Sequence, residues 1–187
     1  MAGVNAISSG NCTGRLTCPS EAAVSEQSFP FHAESSGLAN APVEQLFAFL
    51  DDPKALAAHM GESSMMMMGS RMSIDVDAGG GRVVGSRVRM HGSMLGIPLS
   101  LEEIITERQV PGMKVWETVG TPRLLVMAHY RMGFELTRKG DSTRVRVFID
   151  YSLPITAPGS WFGYWLGAVY ARWCTKQMVM GAARNFD

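Results

Sequence analysis

The chain has 187 residues, 46% of them hydrophobic and 18% charged, the balance of one globular domain with an apolar core of its own. Lys plus Arg and Asp plus Glu both number 17, so the formal net charge is zero and the basic excess of a nucleic-acid-binding domain is missing; nucleic acid is not an expected partner. The longest apolar stretch, 161–171, is stopped by Arg172 and Lys176 and falls short of the roughly 20 residues that cross a bilayer, so no transmembrane segment is expected.

Residues 1–27 are rich in Ser, Gly, Ala and Thr, contain no aromatic residue and show no sustained period, which predicts a mobile or disordered tail ahead of a domain over 28–187. The tail has no basic region followed by an apolar run, so no secretory signal is read there. Cys12 and Cys18 lie in the tail and Cys174 far away; this is no disulfide framework, and it suggests a reducing, cytoplasmic setting.

Ser28 to Glu34 alternates well enough for a first strand, with Phe29 and Phe31 on one face and Pro30 suited to an edge. Pro42 fits a first helical turn, preceded by Asn40 or Ala41 as cap. Val43, Leu46, Phe47 and Leu50 then share a helical face, and Asp51-Asp52-Pro53 ends that helix and starts another short one, to about Met60.

From Met72 to Leu153 the period is two. Met72, Ile74 and Val76 run to a turn at Gly79-Gly80-Gly81, and Val84, Val88 and Met90 return, alternating with Arg87, Arg89 and His91. Further strands follow over Leu99–Arg108 and Met113–Val119, before the last and longest pair. Turning that pair through Arg138-Lys139-Gly140-Asp141 sets Phe134 opposite Val145, Met132 opposite Val147 and Tyr130 opposite Ile149 on one face. Glu135 then meets Arg144, and His129 meets Asp150, on the other face. The outward arginines Arg87, Arg89, Arg144 and Arg146 read as a solvated sheet face.

A closing helix is predicted from Ser160 to about Arg184. Phe162, Leu166, Val169, Trp173 and Met180 form an apolar stripe, with Arg172, Thr175 and Lys176 opposite, beside Trp161 and Trp165. Gly163, Gly167, Cys174 and Gly181 form a strip of small residues, which permits either close approach to the sheet or open space beneath the helix.

Strand, two short helices, six strands and a long last helix resemble the START-like (SRPBCC) helix-grip superfamily of polyketide cyclases, lipid-transfer domains and plant allergens. Asn40 to Asp52 looks like the superfamily's first-helix entry, Val83 to Val88 like its third strand and Lys114 to Thr118 like its fifth. The resemblance implies an α+β fold: a seven-stranded curved antiparallel sheet wrapped around the long C-terminal helix, with two short helices after strand one. It also implies a cavity between sheet and helix for a hydrophobic small molecule such as a lipid, isoprenoid or polyketide-like compound. The superfamily has no universal catalytic set, so none transfers by motif.

Candidates for lining that cavity are Val88, Met90, Trp116, Tyr130, Met132 and Tyr151 from the strands and Phe162, Leu166 and Trp173 from the helix. Buried polar groups need a partner or a ligand. Tyr130 and Tyr151 share inward parity with apolar neighbours, Glu103 does so with Leu99, Leu101 and Ile105, and Glu117 with Val115 and Val119. These four are the candidates for proton chemistry, should the protein be a cyclase or dehydratase rather than a carrier. A bulge near Glu102-Glu103 returning a carboxylate to water is the plainer alternative. His32, His59, His91 and His129 have no metal-site spacing, and no metal or cofactor is expected. Met65-Met66-Met67-Met68 suits a lid, a surface touching lipid, or packing under the second strand. With Trp161 and Trp165 it suggests peripheral membrane contact as a further partner.

Overall fold

The computed structural model describes residues 27–54, 71–94, 97–154 and 161–186. The period-two segments form seven strands: β1 (Phe31–Ala39), β2 (Arg71–Val76), β3 (Arg87–Met94), β4 (Ile97–Gln109), β5 (Met113–Arg123), β6 (Tyr130–Lys139) and β7 (Ser142–Tyr151). They make one curved antiparallel sheet in the order β1-β7-β6-β5-β4-β3-β2. Helix α1 (Val43–Leu50) follows β1 and helix α2 (Trp161–Arg184) ends the fold. The expected tail, His59 and the Met65 to Met68 run lie outside the described residues, as does the second short helix beyond Lys54.

β1 begins three residues later than its alternation predicts and continues to Ala39, because pairing with β7 defines it, from Phe31↔Tyr151 to Ala39↔Thr143. Pro30, which has no N–H to give, stays just outside the ladder. α1 buries the predicted Val43, Leu46, Phe47 and Leu50. Its cap differs from expectation: Pro42 itself is the N-cap, without a side-chain cap bond.

The β6–β7 hairpin keeps the predicted faces but is two residues out of the predicted register. Tyr130 meets Tyr151, Met132 meets Ile149, Phe134 meets Val147 and Glu135 meets Arg146. Gly140 and Asp141 form the turn between Lys139 and Ser142, with Gly140 at φ 62. A positive φ there favours glycine and fixes the two-residue loop one position later than expected. Asp150 therefore lies opposite Arg131, and its carboxylate meets His32 Nδ1 at 2.6 Å, while His129 precedes β6, with Nδ1 3.4 Å from Thr118 Oγ1. The outer face carries the arginines as expected: Arg87 donates to Glu102 at 3.0 Å and Arg146 Nε to Glu34 at 2.9 Å.

Gly133 shows how closely β5 and β6 pack. A Cβ there would lie 2.7 Å from the Lys114 carbonyl oxygen and 2.8 Å from the Phe148 ring. Since backbone cannot yield, Gly133→Ala is expected to cost about 1–3 kcal/mol. A urea midpoint equal to that of the unaltered protein would contradict this.

α2 comes closest to β1 and β7, and it does so with its small residues. Gly167, Ala171, Cys174, Thr175, Met178, Val179 and Ala182 are buried, whereas Val169 is exposed and Trp173 only half-buried. The large-residue stripe expected to face the sheet is thus a flank of the helix. Thr175, expected outward, is fully buried and its Oγ1 lies 2.9 Å from Ser35 Oγ. A Cβ on Gly37 would meet Val179 at 2.7 Å, and one on Gly167 would meet Leu153 at 2.7 Å. Of the two options that the small strip permits, close approach is the one realised over β1 and β7.

Candidate functional site: a buried carboxyl and phenol on the inner face

Alternation through seven paired strands aligns one inward residue per strand. Val76 pairs with Val88, Val88 with Glu103 and Glu103 with Thr118. Thr118 Oγ1 accepts from the Tyr130 backbone N–H at 3.0 Å and its hydroxyl reaches the Tyr130 carbonyl at 3.3 Å. Tyr130 then pairs with Tyr151, and Tyr151 with Phe31. This row puts four polar side chains, Glu103, Thr118, Tyr130 and Tyr151, side by side on a face that is mostly apolar. The adjoining row, Ile105, Trp116, Met132 and Ile149, is hydrophobic and buried.

Glu103 is the centre. It is 6% exposed and accepts a short hydrogen bond from the Tyr130 hydroxyl. Burial pushes its carboxyl up to about 7, against the Tyr130 hydrogen bond, the charge of Lys114 and the Trp116 side chain, which favour the ionised form. Burial, with the Glu103 charge added, likewise holds the Tyr130 phenol well above the usual tyrosine range. α2 contributes Tyr170 and Cys174 to the same surroundings: burial, then the Glu103 charge, pushes the Cys174 thiol up to about 12. A thiol so placed is a packing group rather than a nucleophile.

The predicted site residues divide as follows. Val88, Trp116, Tyr130, Met132 and Tyr151 all come to the inner face within these two rows, with Met90 one step along β3 opposite Ile74 and Leu101. Tyr151 is buried, with its ring 5.4 Å from that of Phe31. Leu166 and Trp173 are half-buried on α2, where Trp173 stacks against Tyr170 at 5.9 Å. The side chain of Phe162 lies outside the described residues. Glu117 is a correction: it points to the outer face, where Arg131 Nε lies 3.5 Å away. Its expected parity fails because Lys114, Trp116 and Thr118 face inward. Val115, although on the outer face, is buried too, so burial does not distinguish the faces of β5. The bulges in β4 fall between Ser100 and Glu102 and between Ile105 and Glu107, leaving Glu103 facing inward.

Sequence reading missed the inward Lys114. Its ammonium lies 2.8 Å from Asp51 Oδ1 and donates to the Asp51 carbonyl, also at 2.8 Å. Arg108 closes the cluster, with Nη2 2.7 Å from Asp51 Oδ2 and its guanidinium over the Phe47 ring at 5.4 Å. Burial alone would raise the Asp51 carboxyl, but hydrogen bonds from Arg108 and Lys114 hold it below the usual aspartate range. The sequence signal for Lys114 was its two-residue spacing from Trp116. A depression of about 400 Å³, open to solvent, lies beside α1, lined by Phe47, Asp51, Arg82, Arg108 and Pro111 among others. Both of its arginines are paired, Arg82 with Asp52 at 3.2 Å and Arg108 with Asp51. Among the described residues no cluster of His, Cys, Asp and Glu is arranged to hold a metal ion, and no helix is long and apolar enough to cross a membrane.

No protein-family model matches the chain, and no curated protein matches it in sequence. Solved structures do match in shape. Ara h 8.0201 superimposes with a TM-score of 0.56 at 12% identity, over 83% of this chain and 99% of that one. The major latex-like protein 151 of Panax ginseng gives 0.54 at 14% identity, over 83% and 97% of the two chains. The di-domain ARO/CYC BexL from the BE-7585A biosynthetic pathway gives 0.58 at 14% identity, with 84% of this chain covering 50% of that one. At such identities the likeness concerns architecture, and with the sheet order and the long closing helix it shows that this chain has the helix-grip fold.

Proposed function

We propose that the protein binds and carries an apolar small molecule, of the lipid, isoprenoid or polyketide kind, on the inner face of the sheet beneath α2. The observation that supports this reading is the Glu103–Tyr130 pair: a buried carboxyl with no cation bonded to it among the described residues, set among Val88, Leu101, Trp116 and Met132. A core built only for stability gains more from apolar residues at such positions, because a buried polar group is costly unless something else uses it. Met90, Tyr170 and Trp173, half-buried around the pair, leave apolar surface for a ligand to cover. Exposed Tyr164, Trp165 and Val169 on α2 suit passing contact with a bilayer surface during loading.

Native mass spectrometry of freshly purified protein, followed by organic extraction, tests the reading. A one-to-one apolar adduct is expected, and Met90→Trp, which adds bulk at a half-buried position of the inner face, is expected to weaken rebinding about tenfold or more. Protein that is empty, and stays empty with a lipid and polyketide panel, would contradict it.

A second reading, a cyclase or dehydratase-type enzyme, is favoured by one feature. A carboxyl near neutrality, hydrogen-bonded to a phenol, is suited to moving a proton on a bound polyketone. BexL, described as an ARO/CYC of a biosynthetic pathway, shares the fold. Glu103→Gln and Tyr130→Phe separate the readings: a carrier loses modest affinity, while an enzyme loses turnover and retains binding.

A further inference from the structure

We propose that the Glu103–Tyr130 pair selects, among apolar molecules, those whose polar end is an uncharged hydroxyl, and that it turns carboxylates away. The inference rests on the binding reading above and concerns which ligands that same site accepts.

The first ground is the distribution of cations. An anionic head group entering an apolar recess needs a free positive partner. Lys114 is the inward cation among the described strand residues, and its ammonium is already held at 2.8 Å by both a carboxylate oxygen and the backbone carbonyl of Asp51. Both bonds are made within the protein, so this ammonium is not a free charge for a head group. Arg108 shares the same aspartate. Arg87, Arg89 and Arg146 lie on the outer face with Glu102 and Glu34, and Arg172 and Lys176 are exposed on α2.

The second ground is hydrogen-bond capacity. Glu103 accepts from the Tyr130 hydroxyl through Oε1 and also from the Trp116 side chain; a carboxylate has about four lone-pair sites, so acceptor capacity remains, and the phenol oxygen can still accept. A ligand hydroxyl fits both protonation states of the carboxyl: it donates to the ionised form and accepts from the protonated form. A carboxylate fits only the protonated form and otherwise meets like charge in a poorly solvated place. An ammonium meets opposite charge, but it brings three donors to a site whose other neighbours, Trp116, Met132 and Val88, offer at most weak acceptors, and it loses its water. The groups that face Glu103 are Tyr130 of β6, Trp116 and more distant Lys114 of β5, and Cys174 of α2, with Tyr170 beside Tyr130 and His129 reaching Thr118 at 3.4 Å.

The test uses the full chain and displacement of a neutral apolar dye, N-phenyl-1-naphthylamine, by 1-decanol, decanoate and decylamine at about pH 8, where Glu103 is mostly ionised. Decanol is expected to displace the dye at concentrations about tenfold or more below those of either charged compound. In Glu103→Gln, which keeps the shape and removes the charge, decanoate is expected to come within about threefold of decanol. Tyr130→Phe is expected to weaken decanol by about threefold to tenfold while leaving decanoate nearly unchanged. Decanoate or decylamine binding as tightly as decanol to the unaltered protein, or an unchanged decanol-to-decanoate ratio in Glu103→Gln, would overturn the proposal. Failure of the dye and all three compounds to bind would instead remove the binding reading itself, and this selectivity with it.

Discussion

Replacing Asp51 by alanine is expected to destabilise the fold by about 3–5 kcal/mol, as breaking a buried ion pair from one side typically does. Asp51 and Lys114 have side chains only 6% and 3% exposed, and removing the carboxylate leaves the ammonium buried with a single backbone carbonyl for company. The reverse change should be much milder. Lys114→Met keeps the chain length and leaves Asp51 bonded to Arg108 through both carboxylate oxygens, so a loss of about 1–2 kcal/mol is expected. Urea unfolding of both variants checks the asymmetry, and equal losses would show that the cluster is not organised around Asp51. Acid should act on the same group. A depressed aspartate pKa contributes stability that is present above the ordinary value of 3.8 and disappears as pH falls through the lower folded-state value.

The second large effect has the opposite sign. Glu103→Gln is expected to stabilise the protein by about 3 kcal/mol near pH 8 and to change little at pH 4.5. A carboxyl raised from 4.5 to about 7 holds its proton in the folded chain over a range where the unfolded chain has lost it. Folding is therefore most favoured below 4.5, weakens as pH rises toward about 7, and changes no further above that. Glutamine keeps an oxygen for the Tyr130 hydroxyl and has no charge to desolvate, so the variant should lose this pH dependence. His32 works in the same direction. Its pKa is raised, first by the hydrogen bond to Asp150, so its contribution is present below 6.5 and fades as pH rises through the higher folded value. It is about half exposed and its effect is small. Denaturant unfolding of Glu103→Gln at both pH values separates the two groups. A variant no more stable than the parent near pH 8 would mean that Glu103 is better solvated than its surroundings indicate.

Much of this arrangement is written in short-range pattern. Alternation places Glu103 and Tyr130 inward because each lies two residues from apolar neighbours that are themselves unambiguous, Leu101 and Ile105 for one and Met132 for the other. It misplaces Glu117 because Val115 and Trp116 are both buried on opposite faces, and because a lysine is not expected inside unless its aspartate, 63 residues away, is known. The β6–β7 register is missed for a related reason. Slipping an antiparallel pair by two residues preserves every face, so only the Gly140-Asp141 turn decides. On α2 the large residues dominate any apolar average, yet the helix seats on Ala171, Thr175 and Ala182, because Ser35 and Gly37 of β1 leave room for close approach rather than for bulk.

The most direct test is a methyl spectrum of protein labelled at its methionines, recorded while 1-decanol is added. Met90 and Met132 face inward on either side of the Glu103–Tyr130 pair, whereas Met113 begins β5 opposite Glu135, away from it. Saturable shifts of the Met90 and Met132 methyls at one-to-one stoichiometry, with Met113 unmoved, are the expected result. Met90 and Met132 signals that stay in place, in protein that remains folded and at saturating decanol, would contradict binding at the inner face.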